Sequence, residues 1–200
     1  IGVTYARYLT DRFAFGATAK YVGEGIANSD AHGVGFDFGT LLHTGFRSLR
    51  MAMSISNLGP EMKFSGSDLT VGYQEQINEG ELGPTTGADL KSAGYDLPMV
   101  FRFGLAYDVE TGANSMLTLS SELKHPNDNI QQGALGAEFS YNQQYFLRGG
   151  YKINYDEEGL AFGGGLRTAV GSETRLVLDY AWQDLGRLES THRFSVGFTF

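Results

Sequence analysis

Two hundred residues can fold as one domain, and a net charge of −8 argues against a nucleic-acid partner. No run of eighteen apolar residues occurs, which excludes a membrane-spanning helix; a membrane-spanning sheet stays open, because half of each barrel strand faces a polar interior and the mean hydropathy of −0.21 averages over both halves. The 28 Gly, 14 Phe and 11 Tyr beside four Pro fit strands and turns, and the absence of Cys removes disulfides and thiolate metal sites.

Ile1 to Leu9 is the first predicted strand, with no signal peptide before it, so a leader has been removed or the chain is a fragment. The turn Thr10-Asp11-Arg12 follows. In Phe13 to Val22 the residues Phe13, Phe15, Ala17, Ala19 and Tyr21 face one way and Ala14, Gly16, Thr18 and Lys20 the other, because strand side chains have a period of two. Gly23 to His32 reads as a loop of Gly, Asn, Ser and Asp. Val34, Phe36, Phe38, Thr40 and Leu42 then alternate with Gly35, Asp37 and Gly39. After the connection His43-Thr44-Gly45, Leu49, Met51, Met53 and Ile55 alternate with Arg50, Ala52, Ser54 and Ser56.

Asn57 to Asp96 breaks the pattern. It holds Gly, Pro and acidic residues without a sustained period, and a loop this long is functional or disordered. A strand extension over Asp68 to Gln76 and a helical turn over Gln74 to Glu81 are its weak internal signals. From Leu97 the alternation returns, with strands over Leu97 to Asp108, Leu117 to Lys124, Leu135 to Tyr141, Tyr145 to Ile153, Leu160 to Arg167 and Arg175 to Trp182, the first with Leu97 and Met99 on the face of Phe101. The last strand is Thr191 to Phe200, where Phe194, Val196, Phe198 and Phe200 oppose Arg193, Ser195, Gly197 and Thr199. This ending resembles the terminal strand of bacterial outer-membrane β-barrels, whose final Phe, here Phe200, belongs to the signal read by the barrel assembly machinery.

Segments of about ten residues match tilted membrane strands. Counting back from Phe200, the periplasmic turns are Gly171-Ser172-Glu173, Asn142-Gln143-Gln144, Glu110 to Asn114, His43 to Gly45 and Thr10 to Arg12. The extracellular connections are Asp184 to Ser190, Asp156 to Gly159, Pro126 to Ile130, Asn57 to Asp96 and Gly23 to His32. Most of the second set are longer, as in outer-membrane barrels. Phe13, Tyr107, Tyr141, Tyr145 and Phe200 would form a periplasmic aromatic girdle, and Tyr21, Tyr155 and Trp182 an outer one. A soluble β-sandwich explains the alternation but not the loop asymmetry and the girdles together. The expected fold is therefore all-β: an antiparallel up-and-down transmembrane β-barrel domain over 1–200, with about eleven strands and a long extracellular loop over 57–96.

Asp11-Arg12-Phe13-Ala14-Phe15-Gly16-Ala17-Thr18-Ala19-Lys20-Tyr21, Ile55-Ser56-Asn57-Leu58-Gly59-Pro60, Leu97-Pro98-Met99-Val100-Phe101-Arg102-Phe103-Gly104-Leu105-Ala106-Tyr107 and the terminal strand resemble the PorV/PorQ family of outer-membrane proteins, which is similar in fold to the FadL-type fatty acid transporters. The resemblance implies a fourteen-strand barrel, so about three strands and an N-terminal plug would be missing. Eleven is odd, and the first and last strands run the same way. Ile1 to Leu9 and Thr191 to Phe200 are therefore expected not to pair, leaving an open wall.

The inward faces carry Asp37, Arg50, Arg102, Glu122, Lys124, Glu138, Arg148, Lys152, Arg167, Arg175, Asp179 and Arg193. They read first as a lumen ladder of paired charges, and second as a path for an anionic solute, which the Arg fork suits. His32, His43, His125 and His192 lack a second ligand at metal spacing, and Gly163-Gly164-Gly165 lacks the Lys-Ser/Thr of a phosphate loop. Ser120, Ser121 and His192 are the only candidates for catalysis and no motif surrounds them, so no enzyme activity and no cofactor is expected. What the resemblance implies is a protein of the bacterial outer membrane, seated in its lipid. Its role would be protein export with type IX secretion components and secreted cargo as partners, uptake of hydrophobic or amphipathic small molecules, or a non-transporting surface anchor or scaffold.

Overall fold

Period-two alternation builds one long antiparallel meander. The structure is a computed structural model that describes residues 1–74, 76–78, 81–82, 84–171 and 174–199, with side chains described outside 76–78 and 81–82. In chain order the strands are β1 (Gly2–Thr10), β2 (Phe13–Ile26), β3 (Ser29–His43), β4 (Arg50–Leu58), β5 (Phe64–Gly66), β6 (Thr70–Tyr73), β7 (Gln76–Asn78), β8 (Glu81–Leu82), β9 (Thr86–Asp89), β10 (Val100–Gly112), β11 (Ser115–Pro126), β12 (Gln132–Tyr141), β13 (Tyr145–Ile153), β14 (Leu160–Ala169), β15 (Arg175–Asp184) and β16 (Ser190–Thr199).

Eleven of them pair with their neighbours in the order β1-β2-β3-β4-β10-β11-β12-β13-β14-β15-β16, and β5 hangs on β3 as the twelfth strand of the sheet. The expected count of about eleven long strands therefore holds. Among the described residues no ladder joins β1 to β16, so the sheet is open, as the parity of the strands requires. Both edge strands run from the end of the sheet that carries the longer connections (the loop end) to the opposite one (the turn end).

Residues directly opposite on neighbouring strands share a face. Following the ladders outward from Phe101 and Phe103 collects Met53 and Ile55 on β4, Phe38 on β3, Ala17 on β2, Leu123 on β11, Leu135 on β12, Tyr151 on β13, Leu160 on β14 and, through Phe162 and Trp182, Phe194 on β16. On the ten strands from β2 to β16 in this sheet, this face carries no Lys or Arg, and its only carboxylates, Asp30 and Asp184, stand at strand tips on the loop end. Its large side chains are open: Phe194 is 77 % exposed and Leu147 67 %. Among the described residues the buried apolar side chains are Ala31, Met62, Leu97, Phe146 and Pro126.

Two expectations are corrected. Gly23 to His32 is not a loop: β2 runs on to Ile26 and β3 starts at Ser29, joined by Ala27-Asn28 with Ala27 at φ 51°. The backbone ladder continues past the last apolar pair because a hairpin in water needs hydrogen bonds, not alternation, and its Gly, Ser and Asp satisfy that as well as they satisfy a loop. The segment over 57–96 is also not irregular throughout. It holds β5, a β6–β9 pair and a β7–β8 pair, and Gln76–Asn78 is strand where a helical turn was expected. The turns after β3 and β10 fall at 44–49 and 113–114, shifted slightly from His43 to Gly45 and Glu110 to Asn114, and β10 starts at Val100 rather than Leu97, whose side chain is buried over Gly35 and Gly59 instead of joining the face of Phe101.

Candidate functional site

The polar face carries the chemistry. At the middle of the sheet Arg50 Nη2 donates to Asp108 Oδ1 at 2.7 Å, and Thr118 Oγ1 donates to the same oxygen at 2.8 Å. Two strands further on, Arg148 lies between two carboxylates: its Nε donates to Glu138 Oε2 and its Nη1 to Asp179 Oδ1, both at 2.6 Å. Glu138 is on the adjacent strand β12, but Asp179 is on β15, so the second bond passes over β14. The residue beneath is Gly165, where a Cβ would stand 2.6 Å from Asp179 Oδ1. The Gly run of β14 thus opens a passage for an ion pair. Arg102 and Glu122 approach to 3.9 Å, and Lys152 pairs with Glu158 of the following loop. These side chains are roughly a third exposed, so each pair contributes on the order of 1 kcal/mol or less in water, enough to fix orientation and too little to hold the sheet.

At the loop end the chain leaves β4 through a bulge. The register slips between Phe36 and Phe38, and Asn57 sits at φ 63°. Asn57 N donates to Asp37 Oδ1 at 2.7 Å, its Nδ2 donates to the Pro98 carbonyl at 2.7 Å, and Lys20 Nζ reaches both Asp37, at 2.7 Å, and the Asn57 side chain. The chain then crosses β3 at Gly59, where a Cβ would strike the Val34 carbonyl oxygen. Met62 packs on Gly33, and Leu97 lies over Gly35 and Gly59, both on the polar side of the hairpin. Met62 and Tyr95 exchange backbone bonds of 2.8 and 2.9 Å. With Ala31, Val22 and Phe64 they form the molecule's one apolar cluster among the described residues. Tyr95 donates to Glu24 Oε2 at 2.9 Å; partial burial, and then this bond, push its hydroxyl above the usual tyrosine range.

Between these features the polar face is smooth. Tyr8, Leu41, Ala52, Gly104, Ala106, Ser120, Ala134 and Gly136 floor a hollow of 790 Å³, flanked by Arg50 and Glu122. It adjoins another of 530 Å³ over Ala6, Ala14, Gly16 and Gly39.

The sequence candidates Arg102, Glu122, Glu138, Arg148, Lys152, Arg167, Arg175, Asp179 and Arg193 all fall on this face, together with Asp37, Arg50 and Lys124. Phe200 lies outside the described residues. Ser120 and Ser121 point to opposite faces of β11, and His192 is on β16, bonded to Tyr180 at 2.9 Å, so the strands do not bring these three together. Among the described residues no group of three His, Asp or Glu has metal-site geometry. One girdle residue is misplaced. Tyr155 does not join Tyr21 and Trp182 on the apolar face: Asn154 at φ 61° ends the alternation, and the Tyr155 ring lies under Lys124 and Lys152, 5.3 and 5.0 Å away. Sequence reasoning placed Phe146 at an inward position by alternation but gave it no role. It is buried, with the Arg167 guanidinium 4.4 Å and that of Arg148 5.3 Å from its ring centre. The signal was present in the flanking alternation, Tyr145 and Leu147 pointing one way and Phe146 the other. No protein-family model and no curated protein matches this chain.

Proposed function

We propose that this sheet is wall of a FadL-like outer-membrane β-barrel of the PorV/PorQ type, acting in transport across, or protein export at, the bacterial outer membrane. The observation that carries the reading is the apolar face: on ten of its eleven strands it is free of Lys and Arg, Arg7 on the edge strand β1 being the exception, its carboxylates stand only at loop-end tips, and large side chains such as Phe194, Val196 and Leu147 are open. Covering one such side chain is worth about 1.5–3 kcal/mol, so leaving this face in water forgoes tens of kcal/mol against a net stability of about 5–15 kcal/mol. Hydrocarbon covers it on one side, and the ionic ladder of the other side then faces a wet lumen. The Glu138–Arg148–Asp179 bridge and the Lys20–Asp37 pair suit that lumen, where water screens and hydrates them. The hollow floored by Ala and Gly favours a second reading, uptake of small hydrophobic or amphipathic molecules.

The test is accessibility in lipid. Single cysteines at Phe198 and Arg193 are introduced, the chain is refolded into vesicles, and a membrane-impermeant thiol reagent is added. The reading expects the Arg193 position to react and the Phe198 position to be protected. The reverse pattern, or a chain that stays monodisperse in buffer without lipid or detergent, overturns it.

A further inference from the structure

The cations of the polar face are not treated alike. Lys20, Arg50, Arg102, Arg148 and Lys152 each reach a carboxylate, and Lys124 rests on the Tyr155 ring. Arg167, Arg175 and Arg193 form no ion pair among the described residues and are exposed. All three lie on β14 to β16. This sector of an acidic chain carries cations in excess on its inner surface, with Asp179 as its one inward carboxylate, and that carboxylate is engaged by Arg148.

We infer that the polar face of β14 to β16 binds small oxyanions, phosphate- or carboxylate-bearing solutes, with Arg167 and Arg193 as the receptors. Two features prepare the site. The Arg167 guanidinium lies over the buried Phe146 ring, 4.4 Å from its centre. That cation–π contact restrains the guanidinium, whose N–H fork is the group that meets two oxygens of an anion at once. Arg193 stands across from Ala181, which in turn pairs with Gly163. Those small residues leave an open hollow of 210 Å³ bordered by Arg148, Asp179, Arg193 and Ser195, large enough for an oxyanion. The Asp179 carboxylate at its border is engaged by Arg148, which it shares with Glu138, so Arg193 is the cation of the cavity without an ion-pair partner among the described residues. Register sets Arg175 and Arg167 nearer the turn end and Arg193 deeper, so an anion entering there meets one guanidinium after another.

The inference rests on the proposed lumen, and the experiment separates the two. The refolded chain is first floated with lipid vesicles, then titrated in zwitterionic micelles with inorganic phosphate by calorimetry. Saturable binding is expected, weakened about tenfold or more in Arg167→Gln/Arg193→Gln, because the substitutions remove charge-assisted bonds. Phe146→Leu should weaken it while the far-ultraviolet strand signal is kept, and Arg47→Gln, which removes a cation from a turn between other strands, should leave it unchanged. Flotation without phosphate binding, or binding that survives the double substitution, overturns this inference alone. Failure to float overturns the membrane reading and the inference with it.

Discussion

The cap at the loop end and the wall below it are built on opposite principles. In the cap, Met62 and Ala31 have no exposed surface, and Leu97 little, because Gly33, Gly35 and Gly59 withdraw to admit them. In the wall, Leu147, Val196 and Phe194 are two-thirds or more exposed, and among the described residues no second layer packs on them. The cap carries its own solvent-excluding partners. In the proposed membrane reading the wall takes its stability from the lipid that covers it. One chain then has an element whose stability is intrinsic and another whose stability belongs to the environment.

The strongest way to break that contrast is to empty the cap. Met62→Ala should cost about 2–5 kcal/mol locally, since the site is fully buried and backbone-pinned. Trypsin cleavage at Lys63 and Lys91 should accelerate while the wall strands keep their protection in hydrogen exchange. Equal loss of protection across both regions would make them one cooperative unit. The wall is probed by Leu178→Arg or Phe103→Arg. Each should cost about 2–4 kcal/mol in a bilayer if near its midplane, and leave the tryptic pattern of the cap unchanged; unfolding titrations in vesicles measure it. The smallest expected effect sharpens the picture within the wall. Gly165→Ala places a methyl group against Asp179 Oδ1 and should cost about 1–3 kcal/mol. Combined with Asp179→Ser, the loss should be less than the sum of the two, and strict additivity would show that the bridge does not need the gap.

The wall was legible and the cap was not, for a physical reason. Alternation is written into neighbouring residues, so the strands around Phe101, Leu147 and Phe198 and the shared face of Arg102, Arg148 and Arg193 could be read locally. The cap depends on pairs far apart in sequence, such as Met62 over Gly33 and Tyr95 bonded to Glu24, and nothing beside Gly33 announces that a methionine will fill its missing side chain. Gly163-Gly164-Gly165 shows the same limit. A Gly run suggests a kink, whereas its use emerges only when Arg148 and Asp179 are seen to meet across it. Tyr155 was misread because alternation was carried one residue beyond Asn154, where the backbone turns.

The bulge at Asn57 bears on how this chain tolerates change in length. Asn57 holds Pro98 through its side chain, and Met62 holds Tyr95 through two backbone bonds, so the excursion between β4 and β10 is clamped shut at its base. Once the ends of a segment are fixed together, adding chain between them costs only a logarithm of the added length, about 0.6 kcal/mol for each doubling. The span between Phe64 and Leu90 is therefore where insertions and deletions can accumulate without disturbing the register of Val100 against Ser56. A reporter peptide placed there would sit outside the wall with its anchorage already built.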